Sequence, residues 1–131
     1  MTNLKLAEDY RRRAIGRRKA VKALLDEKLY ADVVREAQEA CELALKSLIR
    51  AAGHAVPYTH DVSTTLMQIK SDLSARVQAR LERICEISKN LRRDRELSFY
   101  GSEDVTPGEF YDEKQAKKAL SELDEILALF T

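Results

Sequence analysis

The segment from Leu29 to Ala52 constrains the fold more than any other part of the chain. Its apolar residues recur at three- and four-residue spacing and form a broad band, made of Val33, Val34, Ala37, Ala40, Cys41, Ala44, Leu45, Leu48, Ile49 and Ala52. This period predicts an α-helix. Because so wide a band must be covered on more than one side, we expect this helix to be central, enclosed either by the rest of the chain or by a second copy.

Similar periodic segments flank the central one, and breaks between them are few, since the chain has only 4 Gly and 2 Pro. Gly53 and Pro57 end the central helix. Asp61 or Ser63 can cap a short helix that ends near Ser71 to Ser74. The period predicts three other long helices, over about Asn3–Asp26, Ser74–Ser98 and Glu113–Phe130, with a loop from Phe99 to Asp112. No alternating strand pattern occurs. We therefore predict one all-α domain over 1–131, an up-down bundle of four long helices and one short helix.

Charge and cysteine usage narrow the classes of function. The net charge is +1, so the whole chain is not a strongly cationic binder of nucleic acid. No stretch of 18 or more apolar residues predicts a membrane span, and the first ten residues do not resemble a signal peptide. Cys41 and Cys85 lie in helical patterns without Cys-x-x-Cys spacing, which is typical of core residues. We expect a soluble, cytoplasmic protein without a metal or cofactor.

The charges are unevenly distributed along the chain. From Met1 to Lys28 there are nine Lys or Arg against four acidic residues, and from Arg76 to Arg95 seven against three. Between Glu103 and Glu125 the balance reverses to three against eight. This asymmetry indicates either a basic face that binds phosphate or the solvated faces of ordinary helices.

Three groups of residues resemble the HEPN domain family. Ala37, Gln38, Ala40, Glu42, Leu45 and Lys46 match the pattern A-Q-x-A-x-E-x-x-L-K of the second HEPN helix. Gly53, Pro57 and His60-Asp61-Val62 are similar to its G…P…H-D-[LV] stretch, and Arg92, Arg95, Tyr100-Gly101, Pro107 and Tyr111 resemble its R-x-x-R…Y-G…P…Y signature. The resemblance implies a helical bundle like the substrate-binding subunits of nucleotidyltransferases. It also implies a homodimer, and frequent pairing with a minimal nucleotidyltransferase encoded beside it in prokaryotes.

The arginines near the end of the fourth predicted helix are the main candidates for binding a ligand. Arg92 and Arg95 lie three residues apart on one helical face and could hold a phosphate, with a base stacked on Tyr100. Cations at a helix C-terminus also need no ligand at all. The remaining candidates are Lys46, His60 and Asp61, although N-capping would explain Asp61 and loop hydrogen bonding His60. Glu42 is the predicted internal partner of one arginine.

Catalysis by the chain alone is not indicated. HEPN ribonucleases use an Arg, four to six residues and then a His, whereas the only histidines here, His54 and His60, precede Arg92 and Arg95. Arg50 precedes His54 with three residues between them, which is shorter than the motif. No phosphate-binding Gly-rich loop and no Ser or Cys beside a His is present. Two histidines six residues apart also lack the further ligands that zinc needs.

We therefore weigh three hypotheses. The leading one is a nucleotide- or RNA-related binding module that pairs with a minimal nucleotidyltransferase in a toxin–antitoxin-type system. The alternatives are a metal-free ribonuclease toxin, using Arg92, Arg95, Tyr100 and His60, and a passive scaffold whose central helix serves only dimerisation. In the scaffold hypothesis, Ala40→Glu abolishes the dimer and leaves the helices intact.

Overall fold

The computed structural model describes residues 4–57, 62–100, 106 and 111–130, with the backbone alone described for 94–100. Within these residues the chain forms α-helices and two short 3-10 helices, and no strand. The α-helices are α1 Leu4–Asp26, α2 Tyr30–Ala51, α3 Ser63–Gln68, α4 Ala75–Ala79, α5 Leu81–Tyr100 and α6 Glu113–Leu127. The 3-10 helices are Lys70–Asp72 and Ala128–Phe130. The predicted all-α fold is confirmed, with α1, α2, α5 and α6 as the four long helices.

Helix α2 occupies the centre of the bundle and packs against α1, α5 and α6. The middle of its apolar band is closed to solvent, since Ala37, Ala40, Ala44 and Leu45 are 0 % exposed. Alanine side chains let the neighbouring helices approach closely, so the band is covered within one copy of the chain. A second copy is not needed to bury it.

The long helices alternate in direction. Helix α1 is antiparallel to α2, because Arg17 contacts Glu36 while Ser47 donates a hydrogen bond to the carbonyl of Ala7 at 2.9 Å. Helix α5 is antiparallel to α6. There, Arg83 binds Glu125, while Asn90, two turns further along α5, bonds to Glu122, which is earlier on α6. Arg76 of α4 donates to the Ala128 carbonyl at 2.6 Å, which satisfies an acceptor just after α6.

Two helices end in the same hydrogen-bonding motif. After α1, the amides of Lys28 and Leu29 donate to the carbonyls of Leu25 and Leu24, both at 3.0 Å. After α2, the amides of Gly53 and His54 donate in the same manner. This Schellman arrangement needs a left-handed residue, and φ is 61° at Lys28 and 89° at Gly53. Gly53 was predicted to end α2, and it does.

Lys28 occupies a backbone conformation that favours glycine, so we expect Lys28→Gly to stabilise the fold. The substitution removes a clash between Cβ and the backbone, and this gain exceeds the cost of the added freedom of the unfolded chain. The free energy of unfolding should therefore rise by about 0.5–1 kcal/mol. Urea unfolding measures the change. Gly53→Ala is the matched control and should lower the free energy of unfolding by about 1 kcal/mol. A loss of stability in Lys28→Gly would contradict the argument.

The segment before α5 departs from the prediction. The hydroxyl of Ser74 accepts a hydrogen bond from the amide of Val77 at 3.3 Å, so a helix begins after Ser74 as expected. The backbone then leaves the helical conformation at Arg80, which separates α4 from α5. The continuous helix predicted over Ser74–Ser98 is therefore wrong, and α5 ends at Tyr100. Ser63, a predicted cap, is instead the first residue of α3.

A capping box begins α6. The carboxylate of Asp112 accepts from the amide of Gln115 at 2.9 Å, and the side chain of Gln115 accepts from the amide of Asp112 at 2.8 Å. Just before it, Tyr111 is buried in the core. The last helix thus begins at Glu113, as predicted, and its start is joined to the core. No described helix has the length and apolar character needed to span a bilayer.

Candidate functional site

A row of polar side chains runs along α2 at four-residue spacing. Gln38 and Glu42 are buried, at 3 % and 7 % exposure. Gln38 Nε2 donates to Glu42 Oε2 at 3.0 Å, and Lys46 Nζ lies 2.7 Å from Glu42 Oε1. Gln38 and Lys46 therefore each contact one carboxylate oxygen of Glu42, and the buried negative charge of Glu42 is compensated.

Lys46 is the point at which this row approaches solvent. Its side chain is 21 % exposed. An ammonium group has three donors, so the pair with Glu42 leaves donors for another group. Its charge is largely neutralised by Glu42, however, so Lys46 alone would attract an anion weakly. Glu42 holds Lys46 in this position. The predicted pairing of Glu42 with an arginine stays a prediction.

Arg50 continues the row one turn beyond Lys46, and the sequence prediction did not place it in the site. The residue is half-buried, and its Nε is enclosed. Among the described residues, this Nε has no hydrogen-bond partner. A buried donor without an acceptor costs about 1–3 kcal/mol. A ligand oxygen or an ordered water would remove that cost. The four-residue spacing from Lys46 was the available signal in the sequence.

The arginines of α5 are only partly described. Arg92 is half-buried and Arg93 is exposed, and each already interacts with another group of the protein. Arg95 and Tyr100 belong to α5, but their side chains lie outside the described part of the chain. His60 and Asp61 also lie outside the described residues. The convergence of these residues with Lys46 therefore stays a prediction.

The basic segment at the start of the chain is mostly paired within the protein. Arg17 contacts Glu36 of α2 at 3.1 Å. Arg18 binds Asp124 of α6 through two hydrogen bonds, at 2.6 and 3.1 Å. The pKa of Arg18 is raised, chiefly by the hydrogen bond to Asp124. Helix α1 is thus tied to two other helices by Arg17 and Arg18, so these two arginines are not part of an open face for phosphate.

Comparison with known proteins decides the family. The model of the HEPN domain family matches residues 7–131, nearly the whole chain. The chain belongs to the HEPN domain family. It is also similar to a solved structure, that of TT1696 from Thermus thermophilus, with 26% identity, a TM-score of 0.74 and coverage of 93% of each chain. No curated protein sequence matches it significantly.

HEPN membership gives a general assignment and confirms the resemblance inferred from the motifs. The chain is a nucleotide- or RNA-related module in the broad sense of the family, and HEPN domains often form dimers. The polar positions of the A-Q-x-A-x-E-x-x-L-K pattern, which are Gln38, Glu42 and Lys46, belong to the polar row. In this HEPN chain, Gln38 and Glu42 hold Lys46, so part of the pattern has a direct structural reason.

His54 has a structural contact in this HEPN domain. Its Nε2 lies 2.7 Å from Asp72 Oδ2, which joins the segment after α2 to the 3-10 helix Lys70–Asp72. Both side chains are exposed, at 39% and 53%. Among the described residues there is no cluster of three or more His, Cys, Asp or Glu side chains that could hold a metal ion.

A second buried carboxylate, Glu122, lies on α6 of the HEPN bundle and is 5 % exposed. It forms a side-chain hydrogen bond with Asn90, while its Oε2 has no partner among the described residues. Burial raises the pKa of Glu122, against the opposing effects of Lys118 and Arg83. Nearby on α2, burial raises the pKa of the Cys41 thiol to about 12, with smaller contributions from Glu122 and Glu42. Cys41 is therefore an unreactive core residue.

Proposed function

We propose that this HEPN chain is a nucleotide- or RNA-binding module that acts as a homodimer and as the partner of a minimal nucleotidyltransferase, in a toxin–antitoxin-type pair. Residues 1–131 would form one such domain. The cytoplasm is the expected compartment, since nucleotides and RNA occur there and both cysteines are free thiols. The observation that supports binding most directly is the end of the α2 polar row, where Arg50 follows Lys46.

The chemistry of this end of α2 suits a phosphate group. A guanidinium can donate two parallel hydrogen bonds to phosphate oxygens, and partial burial strengthens the attraction because the local dielectric is low. Lys46 has donors left after its pair with Glu42. Arg50 adds a positive charge that forms no ion pair with a described carboxylate, in the last turn of α2, where the helix dipole also favours a cation.

The residues predicted from the motifs would complete the site. Arg92 and Arg95 would hold further phosphate oxygens, and Tyr100 would stack on a base. His60 and Asp61 would orient the ligand from the segment before α3. In this proposal Glu42 keeps its structural role, and neither a metal nor a cofactor takes part.

Nucleotide titration of the purified full-length protein tests the binding site. We expect ATP or a short single-stranded RNA to bind with a dissociation constant below about 1 mM. Arg50→Ala and Arg95→Ala should each raise this constant about tenfold, or about 1.4 kcal/mol in binding free energy. Calorimetry measures both. Lys19→Ala, an exposed cation on α1, is the control and should leave binding within about twofold. Lys46→Ala is unsuitable because it strands the buried Glu42 carboxylate.

Two other results would redirect the assignment. Absence of binding at millimolar ligand, together with failure to co-purify with the product of an adjacent nucleotidyltransferase gene, would contradict the proposal and leave the scaffold hypothesis. Cleavage of RNA that disappears in Arg95→Ala, with helicity retained, would favour the ribonuclease. We expect RNA to remain intact, because the family's Arg–His spacing is absent.

A further inference from the structure

The solvent-facing side of α1 carries three cations at seven-residue spacing. Lys5, Arg12 and Lys19 are all exposed. Seven residues are close to two helical turns, so the three cations lie on one face of the helix. They are about 10.5 Å apart along the axis and extend over about 21 Å in all. We call Lys5, Arg12 and Lys19 the α1 stripe.

The other cations of α1 are all paired with carboxylates. The helix contains eight Lys or Arg residues, and five of them form ion pairs at 2.6 to 3.9 Å. These pairs are Arg11–Glu8, Arg13–Asp9, Arg17–Glu36, Arg18–Asp124 and Lys22–Asp26. The three cations of the α1 stripe form no ion pair within the described part of the chain. The stripe is therefore the positive charge of α1 that the fold itself does not use.

A glycine lies on the same face, between two cations of the stripe. Gly16 is four residues after Arg12 and three before Lys19, and glycine in the interior of a helix weakens it relative to alanine. The fold does not require this glycine, because a Cβ at Gly16 would meet no neighbouring atom within 4 Å. Glycine also allows another molecule to approach the helix backbone closely. Its position therefore suits a surface on which a ligand lies directly against α1.

We infer that the α1 stripe binds the phosphodiester backbone of a double-stranded nucleic acid, without reading its sequence. A duplex carries about one negative charge per 1.7 Å of its axis, so phosphates are available along the whole stripe. A duplex is also straight over this distance, since its persistence length is about 50 nm. The row of cations on a rigid helix and the rows of phosphates on a rigid duplex therefore match in charge and in shape.

The composition of this face favours a duplex over a single strand. Sites for single strands combine cations with aromatic side chains on which bases stack. The only aromatic residue of α1, Tyr10, is half-buried and lies two positions before Arg12, nearly on the opposite side of the helix. The stripe is also separate from the Arg50 site. Because a nucleotide or a short strand does not span the stripe, Lys19→Ala remains a valid control for that site.

A labelled RNA duplex of about 16 base pairs, which is longer than the stripe, tests the binding surface with the full-length protein. For three phosphate contacts, we expect the logarithm of the association constant to fall with the logarithm of the salt concentration, with a slope of about −2.7. The triple variant Lys5→Gln/Arg12→Gln/Lys19→Gln should lose most of this slope. At about 50 mM salt, it should also raise the dissociation constant about tenfold or more. Fluorescence anisotropy measures both quantities.

The matched control removes three exposed cations from other parts of the chain. The variant Lys70→Gln/Lys89→Gln/Lys114→Gln has the same net charge as the stripe variant and should keep the dissociation constant within about threefold. Gly16→Gln should raise this constant about fivefold, because its uncharged side chain projects into the contact, whereas Gly16→Ala should stay within about twofold. Circular dichroism checks that each variant keeps its helices.

A DNA duplex of the same length distinguishes the two sources of phosphate. Equal affinity for both duplexes identifies backbone charge alone as the ligand, and tighter binding of RNA shows that the shape of the duplex also contributes. Arg50→Ala should leave duplex binding within about twofold, because the stripe does not include Arg50. If the wild type binds ATP but neither duplex, the stripe is not a nucleic-acid surface and the Arg50 site still stands.

Two further results would also contradict binding at the stripe. If the stripe variant and its matched control weaken duplex binding equally, net charge attracts the duplex and this face does not. Leu4 and Ile15 are exposed apolar residues of the same helix, at 66% and 40%. If vesicles of phosphatidylcholine with about 30% phosphatidylserine bind through the stripe while the duplexes do not, the face contacts a membrane instead.

Discussion

Ala40→Glu is expected to unfold the chain rather than only to separate a dimer. Ala40 is 0 % exposed in the apolar band of α2, against which α1, α5 and α6 pack. A glutamate there must either bury an unpaired charge or push the helices apart. Such a substitution costs about 4 kcal/mol or more, most of the stability of a domain of this size. Circular dichroism at 25 °C should show loss of most helical signal.

Ala51→Glu is the matched control, because Ala51 is on the same helix but exposed. We expect it to change the free energy of unfolding by less than about 0.5 kcal/mol. If Ala40→Glu keeps its helices and loses only its dimer, the apolar band of α2 must be an intermolecular interface. That outcome would support the scaffold hypothesis and contradict the packing described above.

The long helices could be predicted from sequence because their apolar residues follow one period. The beginning of α6 at Glu113 and the end of α2 before Gly53 are marked by local residues, and both predictions are confirmed. The break at Arg80 has no such mark, since neither Gly nor Pro is near it. The left-handed backbone conformation of Lys28 is also unmarked in the sequence, because only the position of Lys28 after α1 requires it. Helix boundaries that depend on packing could not be predicted from the local sequence pattern.

The residue types and the pairs within one helix were predictable from the sequence, but the pairs between helices were not. Helical spacing correctly brings Glu42 and Lys46 together, since they are four residues apart. Arg18 and Asp124 are 106 residues apart, and only the folded bundle places their atoms within 2.6 Å. Arg50 was visible as a cation near the end of α2. Its enclosed Nε, without a partner in the described part of the chain, depends on the surrounding helices, which the sequence does not specify locally.

The arginines of this domain therefore differ in what they can contribute to binding. Arg17, Arg18 and Arg83 hold helices together through carboxylates of other helices. The pKa of Arg83 is raised chiefly by its hydrogen bond to Glu125. Half-exposed pairs of this kind contribute about 0–1 kcal/mol each. Arg50 has no such carboxylate among the described residues, which is why it is the preferred test residue for phosphate binding.

Glu122→Gln is expected to stabilise the protein at pH 8 by about 1–3 kcal/mol, because it removes a buried charge that has an oxygen without a partner among the described residues. The pKa of Glu122 is raised above its ordinary value of 4.5, chiefly by burial. Proton binding by Glu122 therefore favours the folded state. That contribution is fully present below the ordinary value and is lost as the pH rises through the raised pKa. The amide does not titrate, so the gain should be smaller at pH 5 than at pH 8.

Glu125→Gln provides the opposite control on the same helix. A hydrogen bond from Arg83 lowers the pKa of Glu125, so its ionised form favours folding above the ordinary value, and this contribution is lost as the pH falls through the lowered pKa. We expect Glu125→Gln to lose stability at pH 8, by less than Glu122→Gln gains, because the Glu125 side chain is 39% exposed. Urea unfolding at pH 5 and pH 8 measures both variants. A Glu122→Gln protein that is less stable than wild type at pH 8 would mean that Lys118 and Arg83 compensate this carboxylate more than burial penalises it.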